Sequence, residues 1–596
     1  MTELKARKDM DPAYQWDFTP IYPSSDAWEA ELNALSGELE TVKGLKGTLR
    51  VSAEGLKKGL DALFALEQRL ELCAIYAMLH KSADGGDESY QAMSDRADNL
   101  VNAFQSAASF LNPEILSIDP GTLSSWLEQP GLKTYRHLIE DICRGRAHTL
   151  DEGTENLLAR LSRASSAPGE AFSMLHAVDM TFPKITDEEG NEVALTNGNF
   201  QVYRNSRDPR VRSDAFKLYF GAFAQFKNTL NSLYAGNVKM DNFLAVTRHY
   251  DSACAASLDG YNVPVSVYDS LVSAVHESLP HMRRYLEIRR KRLGLKELHL
   301  CDLYCPIVEN VDFPVTFPES RDLVKKALEP LGAEYQTLLD RAYDEKWMDV
   351  YENKGKDTGA FSCGIYGVHP YVLLNYTDTL EDAFTVAHEL GHSMHSFFSD
   401  RANDYANAGY SLMVAEVAST VNEVLLSQYL LRTETDPRRR AYVLNRFLEG
   451  FRTTLFRQTL FAEFERKAHD MDLQGQPLTA AGLSQVYHDL NALYYDGCVT
   501  DDYGDIEWAR IPHFYRSFYV YQYATGFSSA VAIARNILET GDASGYLRFL
   551  TTGGSDYPLE ELKIAGVDLT KPDTVKNALK VFADSVTEFE TILNSL

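Results

Sequence analysis

The stretch FTVAHELGHSMHSF, residues 384–397, sets His388 and His392 four positions apart with Glu389 beside the first. On an α-helix two such imidazoles fall about 40° apart and one turn up the axis, close enough to share one metal ion. HELGH matches H-E-x-x-H, in which two neutral imidazoles bind zinc and the glutamate between them serves as general base. Zinc in hydrolases takes three protein ligands and keeps a further position for water, so a third donor is required.

The next strongly helical run, YSLMVAEVASTVNEVLLSQYLL, carries Glu416 and Glu423 seven residues apart on one face. Either can turn toward the histidines. Glu416 is the expected ligand because it lies nearer the loop that returns the chain; Glu423, deeper along the helix, is expected as a carboxylate behind the ligands. His395 shares the face of His392 but would strain a tetrahedral arrangement, so packing or an outer position is expected for it. His369, just before Pro370, has no partner identifiable from sequence.

The elements that must hold these residues are legible nearby. DTLEDAFTVAHELGHSMHSFF offers Asp378 or Thr379 as N-cap and acidic residues in the first turn. Gly391 inside this helix costs about 1 kcal/mol relative to alanine, which points to a neighbour packed too close for a side chain. Upstream, GAFSCGIYGVHPYVLLNY combines glycines with a β-prone run, Tyr371 to Tyr376, predicting a small sheet beside the histidine helix whose strand pairs with a peptide backbone. A decoy, VHESLPHM, puts His276 and His281 five apart, about 140° round a helix that Pro280 is expected to break.

The rest of the chain reads as mainly α. Residues 25–115 repeat apolar positions at helical spacing and predict antiparallel hairpins, and helix continues to about residue 180. FPKITDEEGNEVALTNGNFQVYRNS then predicts a small β-hairpin, and a boundary near residue 195 separates an N-terminal helical domain (1–195) from a catalytic domain (196–596). The net charge of -27 repels nucleic acid and anionic lipid. Seven scattered cysteines without a CxxC pair favour a reducing, cytoplasmic setting, and no apolar leader or membrane-spanning run is present.

FTVAHELGHSMH followed by VAEVASTVNE resembles the thimet oligopeptidase-like zinc peptidases, and more closely their bacterial oligoendopeptidase F branch. KGKDTGAFSCGIYGVHPYVLLNY and FLTTGGSDYPLEELKIAGVDL are similar to the same branch, so the specific likeness spans residues 354–570. The resemblance implies a two-lobed helical fold with a deep substrate channel, and one zinc ion held by His388, His392 and Glu416. It also implies Glu389 as base and short unstructured peptides as substrates. In IPHFYRSFYVYQYATGF it carries contacts with peptide and oxyanion to His513 and Tyr521, while Tyr519 and Tyr523 are expected to pack. Two rivals stand beside this reading: a zinc carboxypeptidase of similar helical build, and a peptide-binding protein with structural zinc. The intact Glu389 weighs against the second.

Overall fold

A computed structural model describes residues 4–308, 311 and 313–596. The chain is mainly helical, as its periodicity predicts, with three small sheets among the described residues. It divides into two compact units built from discontinuous segments: 1–147, 313–429 and 533–567 in the first, 148–312, 430–532 and 568–596 in the second. These units cut the chain elsewhere than the boundary expected near residue 195. The reason is local to the first unit, where long-range bonds tie the N-terminal segment to residues 347–372. Trp16 Nε1 donates to the carbonyls of Trp347 and Val372, both at 3.0 Å, and Arg7 pairs with the buried Asp349 at 2.5 Å.

Three helices open the first unit: α1 (Ser25–Gly44), α2 (Ala53–Ala83) and α3 (Glu88–Ala108). Each begins at a side-chain cap, Ser24, Ser52 and Asp87, which accepts an otherwise orphaned backbone N–H. Their apolar stripes bury Trp28, Leu32, Leu56, Leu60 and Leu63, and the Trp28 indole N–H is satisfied by the Cys73 carbonyl at 2.8 Å.

The sheet expected beside the histidine helix is present. Its strands are β1 (Met348–Asp349), β2 (Phe361–Cys363) and β3 (Tyr371–Leu373), in the order β1-β3-β2. The expectation that the Tyr371 strand pairs with a peptide is overturned. β3 is central, parallel to β1 on one side and antiparallel to β2 on the other, so both its edges are taken. Val372 N–H and Leu374 N–H bond to the carbonyls of Trp347 and Asp349, which turns Leu373 and Tyr371 toward Phe361 and Cys363. Ser362, opposite Val372, is therefore left with its backbone groups facing away from the sheet. The edge belongs to β2.

In the second unit the predicted hairpin forms, pairing Lys184–Thr186 with Glu192–Ala194 across a turn in which Gly190 adopts φ +86°. The helix Val265–Arg292 corrects another expectation, because Pro280 lies inside it without breaking it. An interior proline costs about 3 kcal/mol. The cost is offset by the row Tyr268, Leu271, Val275, Met282 and Tyr285, each at most 1% exposed. His276 there pairs with Glu463 at 2.8 Å and Glu277 with Lys576 at 2.7 Å, so the decoy's groups have ordinary partners. Among the described residues no helix is long and apolar enough to cross a membrane.

Candidate metal centre

The site grows from two helices of the first unit. α4 (Leu380–Ala402) begins at Thr379, whose hydroxyl accepts from Asp382 N–H while the Asp382 carboxylate accepts from Thr379 N–H, so of the two candidate caps the threonine is used. α5 (Leu412–Thr433) lies against it. Gly391 is where they meet: a Cβ there would stand 2.5 Å from Ser419 Cα and 2.7 Å from the Ala418 carbonyl oxygen. The glycine expected to admit a close neighbour does so, and that neighbour is the backbone of the helix bearing Glu416. Asn422 Nδ2 donates to the Ala387 carbonyl at 2.9 Å, and Ser393 shares a 2.8 Å side-chain hydrogen bond with Ser362, which ties α4 to β2.

This packing brings three donors to one point. The Nε2 atoms of His388 and His392 are 3.2 Å apart, and Glu416 Oε2 lies 3.4 Å from the first and 3.6 Å from the second. Zinc–ligand bonds of about 2.0–2.1 Å arranged tetrahedrally require ligand atoms separated by about 3.3–3.4 Å. The three separations match that edge length, and two nitrogens with one carboxylate oxygen form a donor set suited to zinc. The residues present therefore fit the ion. The Glu416 side chain is 42% exposed, so the donors face solvent and are not sealed in the core.

Outer contacts orient the donors. His388 Nδ1 lies 2.7 Å from Glu423 Oε1, which holds the proton on Nδ1 and leaves the Nε2 lone pair toward the other two donors. Burial disfavours charge on His388, but Glu423, aided by Glu389 and Glu416, outweighs it and raises the pKa. Burial and the neighbouring His388 push His392 down to about 4. A ligand imidazole must be neutral, as His392 then is. Glu389, 6% exposed, is pushed up to about 7 by burial, against the pull of His388 and with Glu416 and Glu423 adding to the rise.

His395 is fully buried, its ring stacked 3.7 Å from that of Tyr410, and burial pushes it down to about 3. His369, partnerless in sequence, stacks between Trp347 and Tyr371 and contacts the Pro370 carbonyl at 2.8 Å. Sequence reading passed over Ser419 and Asn422. The signal was available, since Glu416, Ser419 and Glu423 recur at helical spacing on one face of α5.

His513 and Tyr521 lie in the second unit. There the loop 513–520 is pinned by Ser517, whose hydroxyl donates to Asp241 at 2.6 Å, and by Phe518, left-handed at φ 58°, whose N–H donates to the buried Glu465 at 3.1 Å. The His513 ring is 6.0 Å from both Tyr519 and Tyr523. Tyr521 is only 1% exposed, packs against Tyr268, and among the described residues its hydroxyl has no hydrogen-bond partner.

The profile of Peptidase family M3 matches residues 202–581, and that of Oligopeptidase F matches residues 114–182. Oligopeptidase PepF of Bacillus subtilis (strain 168) is 42% identical over 99% of this chain and 89% of its own length. Group B oligopeptidase PepB of Streptococcus agalactiae is 38% identical over 98% of both chains. The solved oligoendopeptidase-F of Enterococcus faecium superposes with a TM-score of 0.76 at 36% identity, covering 96% of this chain and all of its own. Two imidazoles, a carboxylate and a buried glutamate on paired helices are what a metal-dependent peptidase requires, and with these likenesses the chain belongs to peptidase family M3, in its oligopeptidase F branch.

Proposed function

We propose that this metallopeptidase is a zinc-dependent endopeptidase that cuts internal bonds of short, unstructured oligopeptides, with one zinc ion per chain. The observation that carries the reading is the triangle of His388 Nε2, His392 Nε2 and Glu416 Oε2 at 3.2–3.6 Å beside the buried Glu389. Zinc held there would supply Lewis acidity, lowering the pKa of a water from about 15.7 to about 7 and polarising the scissile carbonyl. Glu389 accepts the proton of the attacking water and returns it to the departing amine, a task suited to a carboxyl whose burial favours the protonated form. Glu423 keeps His388 in the tautomer that offers Nε2.

The free edge at Ser362 supports antiparallel alignment of a substrate backbone on β2, with main-chain bonds that take little account of side chains. For the oxyanion the proposal retains His513. The role expected of Tyr521 passes to Tyr519 or Tyr523, whose rings lie near His513 and which are more exposed than the enclosed Tyr521. The restriction to short peptides rests on the relatives named oligopeptidases. A cytoplasmic setting is supported by the seven free cysteines.

The test is metal analysis of the purified chain together with mass spectrometry of digests of a peptide blocked at both ends, before and after chelation. One zinc per chain is expected, with internal cuts that vanish on stripping and return when zinc is restored. Full cleavage by stripped protein would end the metal reading. Release of C-terminal residues only, from peptides with a free carboxylate, would favour the carboxypeptidase instead.

A further inference from the structure

The second unit contains a largely buried group of guanidiniums that outnumbers its carboxylates. Arg452 is fully buried and Arg289 1% exposed; both pair with Glu449, at 2.6 and 2.8 Å. Arg457 and Arg510 share Glu507, the second at 3.1 Å. Arg204, 8% exposed, forms no ion pair among the described residues and donates only to the Gln201 amide oxygen. The guanidinium carbons of Arg204 and Arg452 lie 3.5 and 4.4 Å from the ring centre of Tyr304. Among the described residues Arg204, Arg289, Arg452, Arg457 and Arg510 as a group thus have ion pairs with Glu449 and Glu507 alone.

A buried charge without a partner costs several kcal/mol, so a surplus of this kind calls for a counter-charge. The open valences are on the arginines: Arg204 Nε, Arg452 Nη1 and Arg510 Nε are buried without hydrogen-bond partners among the described residues. We propose that Arg204, Arg452, Arg457 and Tyr304 form an internal site for one small monovalent anion, a halide or a carboxylate. Tyr304 is partly exposed. Its hydroxyl responds to the same field: burial works against the phenolate, yet Arg457, Arg204 and Arg452 draw its pKa down to about 7. The inference is independent of the metal centre, because every residue in it belongs to the second unit.

The direct experiment soaks crystals of the full chain in sodium bromide and maps anomalous scattering. A peak within hydrogen-bond distance of Arg204 Nε or Arg452 Nη1 is expected. In solution, thermal melts in chloride against gluconate at constant ionic strength should show a saturable rise in Tm for the wild type that Arg204→Gln abolishes. If Arg204→Gln does not fold, Arg204→Lys should shift the chloride midpoint several-fold instead. Acetate in place of chloride, and free-acid against amidated peptides, separate the two sources. A lower KM for the free acid that depends on Arg204 assigns the site to a peptide carboxylate, and a chloride effect indifferent to the peptide terminus assigns it to an inorganic anion. Absence of any peak near Tyr304, with identical melts in both salts, would overturn the proposal.

Discussion

Around His388 and His392 the charge is supplied by carboxylates, Glu389, Glu416 and Glu423, whereas around Tyr304 it is supplied by guanidiniums. Both clusters gather polar groups in a helical scaffold, but they are completed differently. In the first unit the donors converge at 3.2–3.6 Å, an arrangement that a shared cation would satisfy. In the second unit Glu449 and Glu507 each pair with two arginines, and those pairs are part of the core, but among the described residues Arg204 is left over and the guanidiniums stay in surplus. A cluster whose charges cancel internally holds the fold, and one that leaves a surplus selects a ligand.

The sharpest way to break this comparison is to remove one carboxylate from each cluster. Glu389→Gln should lower kcat/KM by about 10²–10⁴-fold while zinc content and melting temperature are kept, because in the proposed mechanism the group moves a proton and among the described residues it holds no ion pair. Normal turnover would remove Glu389 from the reaction. Glu449→Gln should do the reverse, costing roughly 3–5 kcal/mol of stability in denaturant melts by leaving Arg289 and Arg452 buried without their carboxylate. A loss of activity with unchanged stability would make that cluster functional as well. A smaller effect is expected behind the ligands, where Glu423→Gln should weaken zinc binding about 10–100-fold in chelator competition, since it releases the tautomer of His388.

The mildest difference is in pH dependence. In the second unit Glu449 and Glu507 resist burial through their arginines and are held down at about 2. Their contribution is present above the unfolded carboxyl value of about 4.3 and is lost as pH falls toward 2. In the first unit Asp400 and Glu561 are pushed up by burial to about 7 and about 8. Folding then favours their protonated forms, and their contribution declines as pH rises from about 4 through these values. Hydrogen exchange resolved along the chain should show the second unit weakening first in acid and the first unit softening first at mildly alkaline pH. Uniform weakening at both extremes would contradict the contrast.

What could be read in advance was whatever the helical repeat carries within one or two elements. HELGH, the Thr379 cap, the close approach at Gly391 and the shared face of Glu416 and Glu423 all depend on spacing along a single helix, and spacing is a property of the chain. The three-donor triangle was legible to that extent, because its parts come from two successive helices. The order β1-β3-β2 was not, since strands this short carry no sign of which lies centrally. Pro280 was misjudged because its cost is local while the packing that offsets it comes from elsewhere in the second unit. Tyr521 could not be told from Tyr519 and Tyr523 by spacing alone; burial separates them. The arginine cluster gathers residues from 204 to 510, too far apart in sequence for any repeat to link them. Local periodicity thus pointed to the three converging side chains and to Glu389, while long-range packing chose the strand edge, the enclosed tyrosine and the buried charges, because desolvation and shape complementarity exist only once distant segments meet.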